Sequence, residues 1–368
     1  MKYYIIAGEA SGDLHGSNLV KQLRLLDNTA NIRSWGGDLM QAEGATVVKH
    51  YRELAFMGFA EVVKNLPAIL RNLRFCKKDI SAFSPDVVVL IDYPGFNIKI
   101  ATWAKQQGYK VVYYISPQVW AWKAARVHTI KKYVDKMLVI LPFEKDFYSQ
   151  YDYEVTYVGH PLVEVIERFK ATEPAPLIKE KTIALLPGSR KQEINKKLPI
   201  MLAVAKSFPA YQFVVAKAPG LDDAFYAPLL APYTNVSVVS NQTYCLLNKS
   251  VAALVTSGTA TLETALFGVP EVVCYKGSAI SYAIAKRIIK IKYISLVNLI
   301  MAKPVVKELI QDELTVENCI TELNDLLFNT SRQAQMLKDY SDLSALLSAG
   351  GHASANAAKI IFNVASAK

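Results

Sequence analysis

Short apolar runs alternate with segments of helical spacing along the first half of this chain. The runs lie at Lys2–Ala7, Val87–Ile91, Lys110–Ile115 and Lys136–Leu141. Runs of this kind are typical of strands buried inside a parallel sheet, and the helical segments between them supply the crossovers. The pattern predicts an α/β domain with a doubly wound parallel sheet over residues 1–166.

The second half repeats this rhythm after a stretch with little periodicity. That stretch, residues 167–180, contains Pro174 and Pro176 and is interpreted as a linker. Residues 181–348 are predicted to form a second doubly wound domain. Its predicted strands are Thr182–Leu186, Gln212–Ala216, Asn235–Val239, Ala252–Val255 and Glu271–Cys274.

Helical spacing dominates the end of the chain. It predicts helices at Val316–Phe328 and Arg332–Leu347 and, after the Gly350-Gly351 pair, a last helix at Ser354–Ala365. We expect residues 349–368 to pack back on the first domain or on a partner chain. Exchange of this segment with a second copy would give a homodimer.

The composition narrows the function classes. A formal charge of +10 over 368 residues indicates an anionic partner. No nucleic-acid-binding module is recognisable, which favours a membrane surface or a phosphorylated substrate over nucleic acid. No apolar window reaches the roughly 18 residues of a membrane span. The first residues become acidic already at Glu9, too early for a signal peptide, so a cytoplasmic protein is predicted.

The four cysteines show no paired spacing. They are Cys76, Cys245, Cys274 and Cys319. Neither a disulfide framework nor a zinc site is predicted from them.

The segment Thr256–Glu263 has the outline of a phosphate site. It follows the apolar run Ala252–Val255 and consists of small hydroxyl residues and one glycine at the start of a predicted helix. Amide groups of a first helical turn lack intrahelical partners, and the helix dipole favours an anion there. Glu263, about one turn inside, could take both hydroxyls of a ribose. The alternative is a plain helix start capped by Thr259 or Thr261.

A second turn of the same kind occurs upstream, at Leu186–Glu193. Gly188 allows the backbone to approach a ligand closely, and Ser189 can cap the following helix. Arg190 would present a permanently charged fork suited to a diphosphate, although it could also be an ordinary surface arginine. Two such turns in one α/β region favour a nucleotide held between them.

In the first half, polar residues again follow strand ends, where doubly wound sheets bind ligands. The glycine-rich turn after the first strand carries Glu9 and Asp13, which suit sugar hydroxyls better than a pyrophosphate. His15 is a weaker candidate and could be a helix-surface residue. Asp92, held by a Pro-Gly turn at the mouth of a strand, is placed to act as a general base, or else forms a local Asx turn.

Two tryptophans follow another strand end. Trp120 and Trp122, just after Gln118, could line a sugar or acyl pocket, and ordinary packing at a helix start is the alternative.

The segment Phe56–Lys78 combines apolar residues at helical spacing with basic side chains. This is what a helix at a membrane interface requires, although a core helix with a solvated basic face has the same pattern. The predicted membrane contacts are Phe56, Met57, Leu66, Ile69, Leu70, Arg71, Leu73 and Arg74.

Six motifs, in order along nearly the whole chain, resemble the lipid-A-disaccharide synthase family. Together they are far more specific than any one of them. They are Gly8–Asp13, Asp92–Asn97, Ser116–Trp122, Gly159–Pro161, Leu186–Arg190 and Thr256–Glu263.

The resemblance implies a GT-B glycosyltransferase, with two Rossmann-like domains facing a cleft and neither metal nor cofactor required. No Asp-x-Asp motif occurs in the sequence. The implied reaction joins UDP-2,3-diacylglucosamine to 2,3-diacylglucosamine 1-phosphate, giving the tetraacyl β(1→6) disaccharide 1-phosphate and UDP with anomeric inversion. The implied location is cytoplasmic, peripheral on the inner face of the bacterial inner membrane, where the basic charge would assist docking.

Beside this resemblance, Asp92 is our hypothesis for the base, and Arg190 for the group that offsets charge on the leaving diphosphate. The residues predicted to bind UDP are Gly188, Ser189, Arg190, Glu193, Thr256, Ser257, Gly258, Thr259, Thr261, Glu263 and Asn298. The residues predicted to lie near the sugars and the acceptor are Glu9, Ser11, Gly12, Asp13, His15, Asn97 and Gln118.

One departure and two alternatives accompany the resemblance. Val297 stands where many relatives are expected to have proline, so the loop at Asn298 departs from the family pattern. One alternative is another GT-B enzyme acting on UDP-N-acetylglucosamine, such as a 2-epimerase or the peptidoglycan transferase. The other is a non-catalytic nucleotide-sugar-binding protein at the membrane.

Overall fold

The computed structural model describes residues 1–54, 66–122, 124–174, 176, 179–218, 220–278, 282, 286–287 and 291–367. The chain forms two compact units. The first contains Met1–Pro161 together with Leu347–Lys368, and the second contains Leu162–Leu346. The C-terminal segment therefore belongs to the same unit as the N-terminus.

The first unit is built on a parallel sheet. Among the described residues the sheet has seven strands, in the order β3-β2-β1-β4-β5-β6-β7. Its strands are β1 (Lys2–Ala7), β2 (Asn31–Gly36), β3 (Thr46–His50), β4 (Val87–Ile91), β5 (Val111–Tyr114), β6 (Lys136–Val139) and β7 (Thr156–Tyr157). The order reverses between β1 and β4, which makes the ends of these two strands the switch point of a doubly wound sheet.

Helices cover both faces of this sheet. They are α1 (Ala10–Leu26), α2 (Asp38–Ala42), α3 (Leu66–Phe83), α4 (Pro94–Gln106), α5 (Val119–Trp122), α6 (Arg126–Tyr133), α7 (Glu144–Ser149) and α16 (Ala353–Ser366). Alternate residues of β1 serve the two faces, as the pleat of a strand requires. Tyr3 and Ile5 share one buried cluster with α1 and α16, and Tyr4 and Ile6 share the other with α3 and α4.

The second unit repeats the same winding. Within the described residues its sheet has six parallel strands, in the order β10-β9-β8-β11-β12-β13. They are β8 (Thr182–Leu186), β9 (Gln212–Lys217), β10 (Val236–Ser240), β11 (Ala252–Thr256), β12 (Glu271–Tyr275) and β13 (Lys307–Ile310). The switch point of this sheet lies between β8 and β11.

The helices of the second unit follow its strands. They are α8 (Pro161–Thr172), α9 (Lys191–Val204), α10 (Asp223–Leu230), α11 (Thr243–Lys249), α12 (Thr259–Leu266), α13 (Leu296–Met301), α14 (Val316–Phe328) and α15 (Thr330–Ser348). The strands β8 and β11 are buried throughout, as their uninterrupted apolar sequences predict.

Most of the predicted elements are confirmed, and one boundary is wrong. The strands at Lys2–Ala7, Val87–Ile91 and Thr182–Leu186 occupy the predicted residues. The predicted linker is too long at its start, because α8 continues to Thr172 and pairs Arg168 with Glu164 one turn earlier. A helix with apolar residues on one side was therefore overlooked beside the prolines.

No helix in the described ranges is long and apolar enough to cross a membrane.

Candidate active site

A cavity opens at the switch point of the second sheet. It has a volume of about 300 Å³ and is lined by both predicted phosphate turns, after β8 and after β11. Its lining residues are Leu186, Gly188, Ser189, Glu193, Ala216, Lys217, Ala218, Thr243, Thr256, Ser257, Gly258, Thr259, Ala260 and Glu263. The structure thus brings together most of the residues that the sequence predicts for a nucleotide.

The turn after β8 needs glycine for two reasons. Gly188 has a φ of +113°, a conformation that side chains disfavour. A Cβ atom there would lie 2.9 Å from Oε2 of Glu193. The N-cap position of α9 is Arg190, one residue after the predicted cap Ser189, and its side chain makes no capping hydrogen bond. Arg190 remains 63% exposed, with its guanidinium 3.4 Å from the Glu193 carboxylate. An exposed arginine held this loosely is available to an anion at the start of α9.

The turn after β11 is open on its glycine side. Gly258 has a φ of +144°, and an added Cβ would meet no atom within 4 Å. Thr259 and Ala260, whose backbone N–H groups belong to the first turn of α12, line the cavity. Thr261 is instead fully buried and donates its hydroxyl to the carbonyl of Gly258 at 2.8 Å. It shapes the turn rather than lining the cavity.

Glu263 lies deeper along the same helix. It receives a hydrogen bond from the Tyr244 hydroxyl at 3.0 Å on Oε1. Burial raises the pKa of Glu263, and the hydrogen bond from Tyr244 counteracts part of that rise. Tyr244 thus engages Oε1 of the Glu263 carboxylate and not Oε2.

Asn298 is placed differently from the prediction. It lies on α13, is 1% exposed, and donates both side-chain N–H groups within the protein, to the Val306 carbonyl at 2.9 Å and to Glu308 at 3.0 Å. Its Oδ1 accepts from the Val306 amide. No donor is left for a direct contact with UDP, so Asn298 acts on the loop backbone. Ser257 reaches the same region by donating to the carbonyl of Ile294.

In the first unit, Gly8 and Tyr93 meet at the switch point between β1 and β4. A Cβ on Gly8 would lie 2.4 Å from atoms of the Tyr93 ring. The absence of a side chain at Gly8 therefore lets this ring close over the turn and fix the backbone next to Asp92.

The backbone of Asp92 is strained and firmly held. Asp92 and Tyr93 have φ values of +43° and +49°, in the left-handed region that few non-glycine residues adopt. The Asp92 carbonyl accepts hydrogen bonds from the Tyr113 hydroxyl at 2.5 Å and from Asn97 Nδ2 at 2.8 Å. Strain of this kind persists only where the surroundings over-determine it, and it clusters at functional sites.

The Asp92 carboxyl group is tuned toward neutral pH. Burial, with a smaller contribution from the negative charge of Glu9, raises the pKa of Asp92 to about 6. A carboxylate with such a pKa is a stronger base than an exposed one and is still ionised at pH 7. The structure is therefore compatible with both roles considered for Asp92, that of a general base and that of a turn residue.

Two predicted sugar contacts are turned inward. Asp13 is 2% exposed and accepts hydrogen bonds from the amides of Gly37, Leu39 and Met40, at 2.7, 3.2 and 3.2 Å. Asn97 is fully buried beneath Asp92. Both side chains shape the loops around the site, which corrects the expectation that they face the sugars.

The other predicted sugar contacts differ in exposure. Ser11 and Gln118 are exposed, whereas Gly12 is buried, with its Cβ position 3.1 Å from the Cβ of Ala7. Burial lowers the pKa of His15 to about 4, so its imidazole is neutral at pH 7. Burial, aided by the charge of His15, lowers the pKa of His160 to about 3. The sugar contacts of Ser11, Gly12, His15 and Gln118 stay predictions.

The predicted membrane segment divides into two faces. Leu73 is 7% exposed and belongs to the core cluster with Cys76 and Ile80, which corrects its assignment to the membrane. Ile69 packs partly against the same cluster. Leu70, Arg71 and Arg74 are exposed, and so is Phe75, which was not predicted. Phe56 and Met57 lie outside the described residues, as does the side chain of Leu66.

Several lining residues were not predicted from the sequence. Ala216, Lys217 and Ala218 come from the end of β9, and Thr243 from the start of α11. Because β9 pairs with β8, its carboxyl end necessarily lies beside the Gly188 turn. These residues can be predicted from the fact that the ends of paired strands lie side by side. That inference requires knowledge of the strand order.

A family model described as lipid-A-disaccharide synthetase matches residues 3–362. Curated relatives include the lipid-A-disaccharide synthase of Geobacter metallireducens, 40% identical over 88% of this chain and 87% of that protein. The corresponding protein of Coxiella burnetii strain RSA 331 / Henzerling II is 36% identical over 98% of this chain and 97% of its own length.

Solved structures share the fold at low identity. A glycotransferase of kitacinnamycin has a TM-score of 0.68 at 13% identity, covering 99% of this chain and 98% of its own. CalG4, the calicheamicin glycosyltransferase, gives 0.63 at 19% identity, with 99% and 97% coverage. A UDP-GlcNAc 2-epimerase from Neisseria meningitidis, bound to UDP-GlcNAc, gives 0.65 at 15% identity, with 99% coverage of both chains.

Proposed function

The chain belongs to the lipid-A-disaccharide synthase family, and from that premise we propose how its residues perform the reaction. It is a glycosyltransferase of lipid A biosynthesis with the GT-B fold. We propose UDP-2,3-diacylglucosamine as donor and 2,3-diacylglucosamine 1-phosphate as acceptor, joined by a β(1→6) linkage. The observation that carries the proposal is the cavity of about 300 Å³ lined by both phosphate-type turns.

The donor nucleotide is assigned to this cavity. Glu263 would hold the ribose hydroxyls through the carboxylate oxygen that Tyr244 does not engage. The diphosphate would lie at the first turns of α9 and α12, where unpaired amides and the helix dipoles favour an anion. Arg190 would supply the mobile positive charge.

The acceptor is assigned to the strand ends of the first unit. Asp92 would take the proton of the acceptor 6-hydroxyl, for which its pKa of about 6 is suitable. Glu9, half-buried near it, would orient a sugar hydroxyl. Asp13 and Asn97 would act indirectly, through the loops that they hold.

The proposed step is a single displacement. The acceptor oxygen, losing its proton to Asp92, forms a bond to the anomeric carbon of the donor. The bond from that carbon to the β-phosphate oxygen breaks, and its electron pair leaves with UDP. Charge therefore grows on the diphosphate, where Arg190 and the two helix starts would stabilise it more strongly than in the ground state.

The test of this function is incubation of the purified protein with both proposed substrates in detergent containing EDTA. Release of UDP and formation of the disaccharide are followed by mass spectrometry, and the expected result is one disaccharide per UDP. UDP release without formation of the disaccharide would contradict the proposed identity of the acceptor. Turnover of UDP-N-acetylglucosamine in place of the acylated donor would replace this proposal by the soluble-substrate alternative.

We further propose that the exposed face of α3 docks on an anionic membrane. The face carries Leu70, 45% exposed, and Phe75, 43% exposed, between Arg71, Arg74 and Lys78. Apolar side chains flanked by cations are what an interfacial helix needs, and anionic lipids attract the cations. Both proposed substrates carry acyl chains, so the proposed location is peripheral, on the inner face of the inner membrane.

Replacing Leu70 and Phe75 together by Ser should reduce sedimentation with anionic phosphatidylglycerol vesicles at least several-fold, because the inserted apolar area is lost. Turnover in detergent should stay close to that of the wild type. The matched control replaces Leu25 and Leu26, which are 73% and 47% exposed on α1. Equal loss of vesicle binding in both double variants, or no loss in either, would contradict docking through α3.

A further inference from the structure

Lys197 is a cation buried beside the cavity that no motif predicts. It lies on α9, one turn after Glu193, and is 2% exposed. Lysine is almost never fully buried unless its charge is paired. The Lys197 ammonium contacts the Thr256 hydroxyl and lies 3.8 Å from Oε2 of Glu193. A Cβ on Gly188 would be 3.6 Å from Nζ, so Lys197 sits directly behind the turn after β8.

The hydrogen-bonding capacity of the two groups fixes the direction of their contact. An ammonium group has donors only, so the Thr256 oxygen must accept. The single hydrogen of the Thr256 hydroxyl is then directed to another acceptor. Within the described ranges no protein atom accepts it. Thr256 ends β11 and lines the cavity, so an acceptor bound there can receive this hydrogen.

The charges around Lys197 leave an excess of positive charge. Glu193 is shared between Arg190, at 3.4 Å from Oε1, and Lys197, at 3.8 Å from Oε2. Two cations thus face one carboxylate at the point where the turn after β8 meets the end of β11. Burial lowers the pKa of Lys197, and an anion bound nearby would favour its charged form.

We propose that Lys197 is a positioning residue for the diphosphate of the nucleotide, acting through Thr256, whose hydroxyl it orients and polarises toward a phosphate oxygen. The inference rests on the proposed function, since it assumes that the cavity takes a nucleoside diphosphate. It adds to that function two residues: Lys197, whose charge does not contact the ligand, and Thr256, whose hydroxyl does. Charge-assisted hydrogen bonds are stronger than neutral ones, so Thr256 would be a better donor than an isolated threonine.

The test compares UDP with uridine, which lacks the phosphates. Binding of each is measured by titration calorimetry, without acceptor, for the wild type, Lys197→Met, Thr256→Val and the double variant. Methionine keeps the length of the side chain and removes the charge. Lys196→Met removes an equal charge from the exposed side of the same helix and is the matched control.

We expect Lys197→Met to weaken UDP binding about 10- to 100-fold, the range for loss of a hydrogen bond to a charged group. Uridine binding should not change, and Lys196→Met should bind UDP within about 2-fold of the wild type, as expected for an exposed charge. Because Lys197 acts through Thr256, the double variant should bind UDP no more weakly than the weaker single variant.

Other outcomes overturn the inference in distinguishable ways. Unchanged UDP binding by Lys197→Met, or equal weakening of UDP and uridine, would leave Lys197 with a structural role only. Additive losses in the double variant would show that Lys197 acts independently of Thr256. If Lys197→Met does not fold, Thr256→Val decides the matter, and unchanged UDP binding by that variant overturns the inference. A wild type that binds neither ligand would overturn the nucleotide site itself, and the inference with it.

Discussion

Replacing Asp92 by Asn should lower kcat by about 10³-fold while the protein stays folded, as expected for a general base, whose contribution is roughly 10² to 10⁴. Asn is the appropriate substitution because Asp92 has a φ of +43°, a conformation that Asn tolerates better than most other non-glycine residues. Its carbonyl keeps the hydrogen bonds from Tyr113 and Asn97. A loss of activity would then report the missing proton acceptor.

The pH dependence provides a second readout. A base must be ionised to act, so kcat/KM of the wild type should rise with pH through about 6, the raised pKa of Asp92, and then level off. The residual activity of Asp92→Asn should not show this rise of kcat/KM with pH. Glu9→Gln removes a negative charge that raises the pKa of Asp92, so the rise of kcat/KM in this variant should move to lower pH.

The measurement is steady-state turnover at saturating donor and varied acceptor over pH 5 to 9, which gives both kcat and kcat/KM, with thermal unfolding of each variant as the folding control. Near wild-type turnover of Asp92→Asn would remove Asp92 from the role of base. An acid limb that persists in Asp92→Asn would assign the titration to another group.

The fold could be predicted where strands are buried on both faces. The strands β4 and β8 consist of apolar residues only, apart from Thr182, and the predicted bounds match the observed ones at both ends. The strands β2 and β3 were missed because polar residues such as Asn31, Arg33 and Lys49 interrupt their apolar pattern. These two strands lie toward one edge of the sheet, where a polar side chain can remain in solvent or find a partner.

The phosphate-type turns could be predicted because their chemistry is local. Gly188 and Gly258 adopt positive φ values, and each stands next to hydroxyl residues at the start of a helix. The polar residues that support loops were misjudged. Asp13 and Asn298 have the side chains of ligand-binding residues, but both are engaged by groups distant along the chain. Asp13 accepts from the backbone around Gly37, and Asn298 donates to the Val306 carbonyl and to Glu308.

Lys197 is a residue of the candidate site that the sequence alone does not reveal. Along the sequence it is one of several lysines on α9, next to Lys196, and periodicity does not distinguish a buried cation from an exposed one. Its contact is with Thr256, a residue of β11, and depends on the parallel pairing of β11 with β8. Such a residue can be found only once the strand order is known.

Replacing Arg190 by Ala should lower kcat by about 10²- to 10³-fold, the usual cost of removing one group that stabilises charge in the transition state. The reason is the growing negative charge of the leaving diphosphate at the start of α9. Because Arg190 is 63% exposed and its guanidinium engages only Glu193 among the described residues, loss of the side chain should not affect folding. Arg190→Lys should recover part of the rate, since it keeps the charge and loses the planar fork.

The matched control is Lys191→Ala, which removes an exposed cation from the next residue of α9. Steady-state kinetics with varied donor should show kcat falling more than KM rises in Arg190→Ala, because the developing charge is larger in the transition state than in the bound substrate. A rise in KM alone would restrict Arg190 to ground-state binding. Equal losses in Arg190→Ala and Lys191→Ala would show that the site responds to net positive charge rather than to a placed guanidinium, and the assignment of Arg190 to the diphosphate would then be wrong.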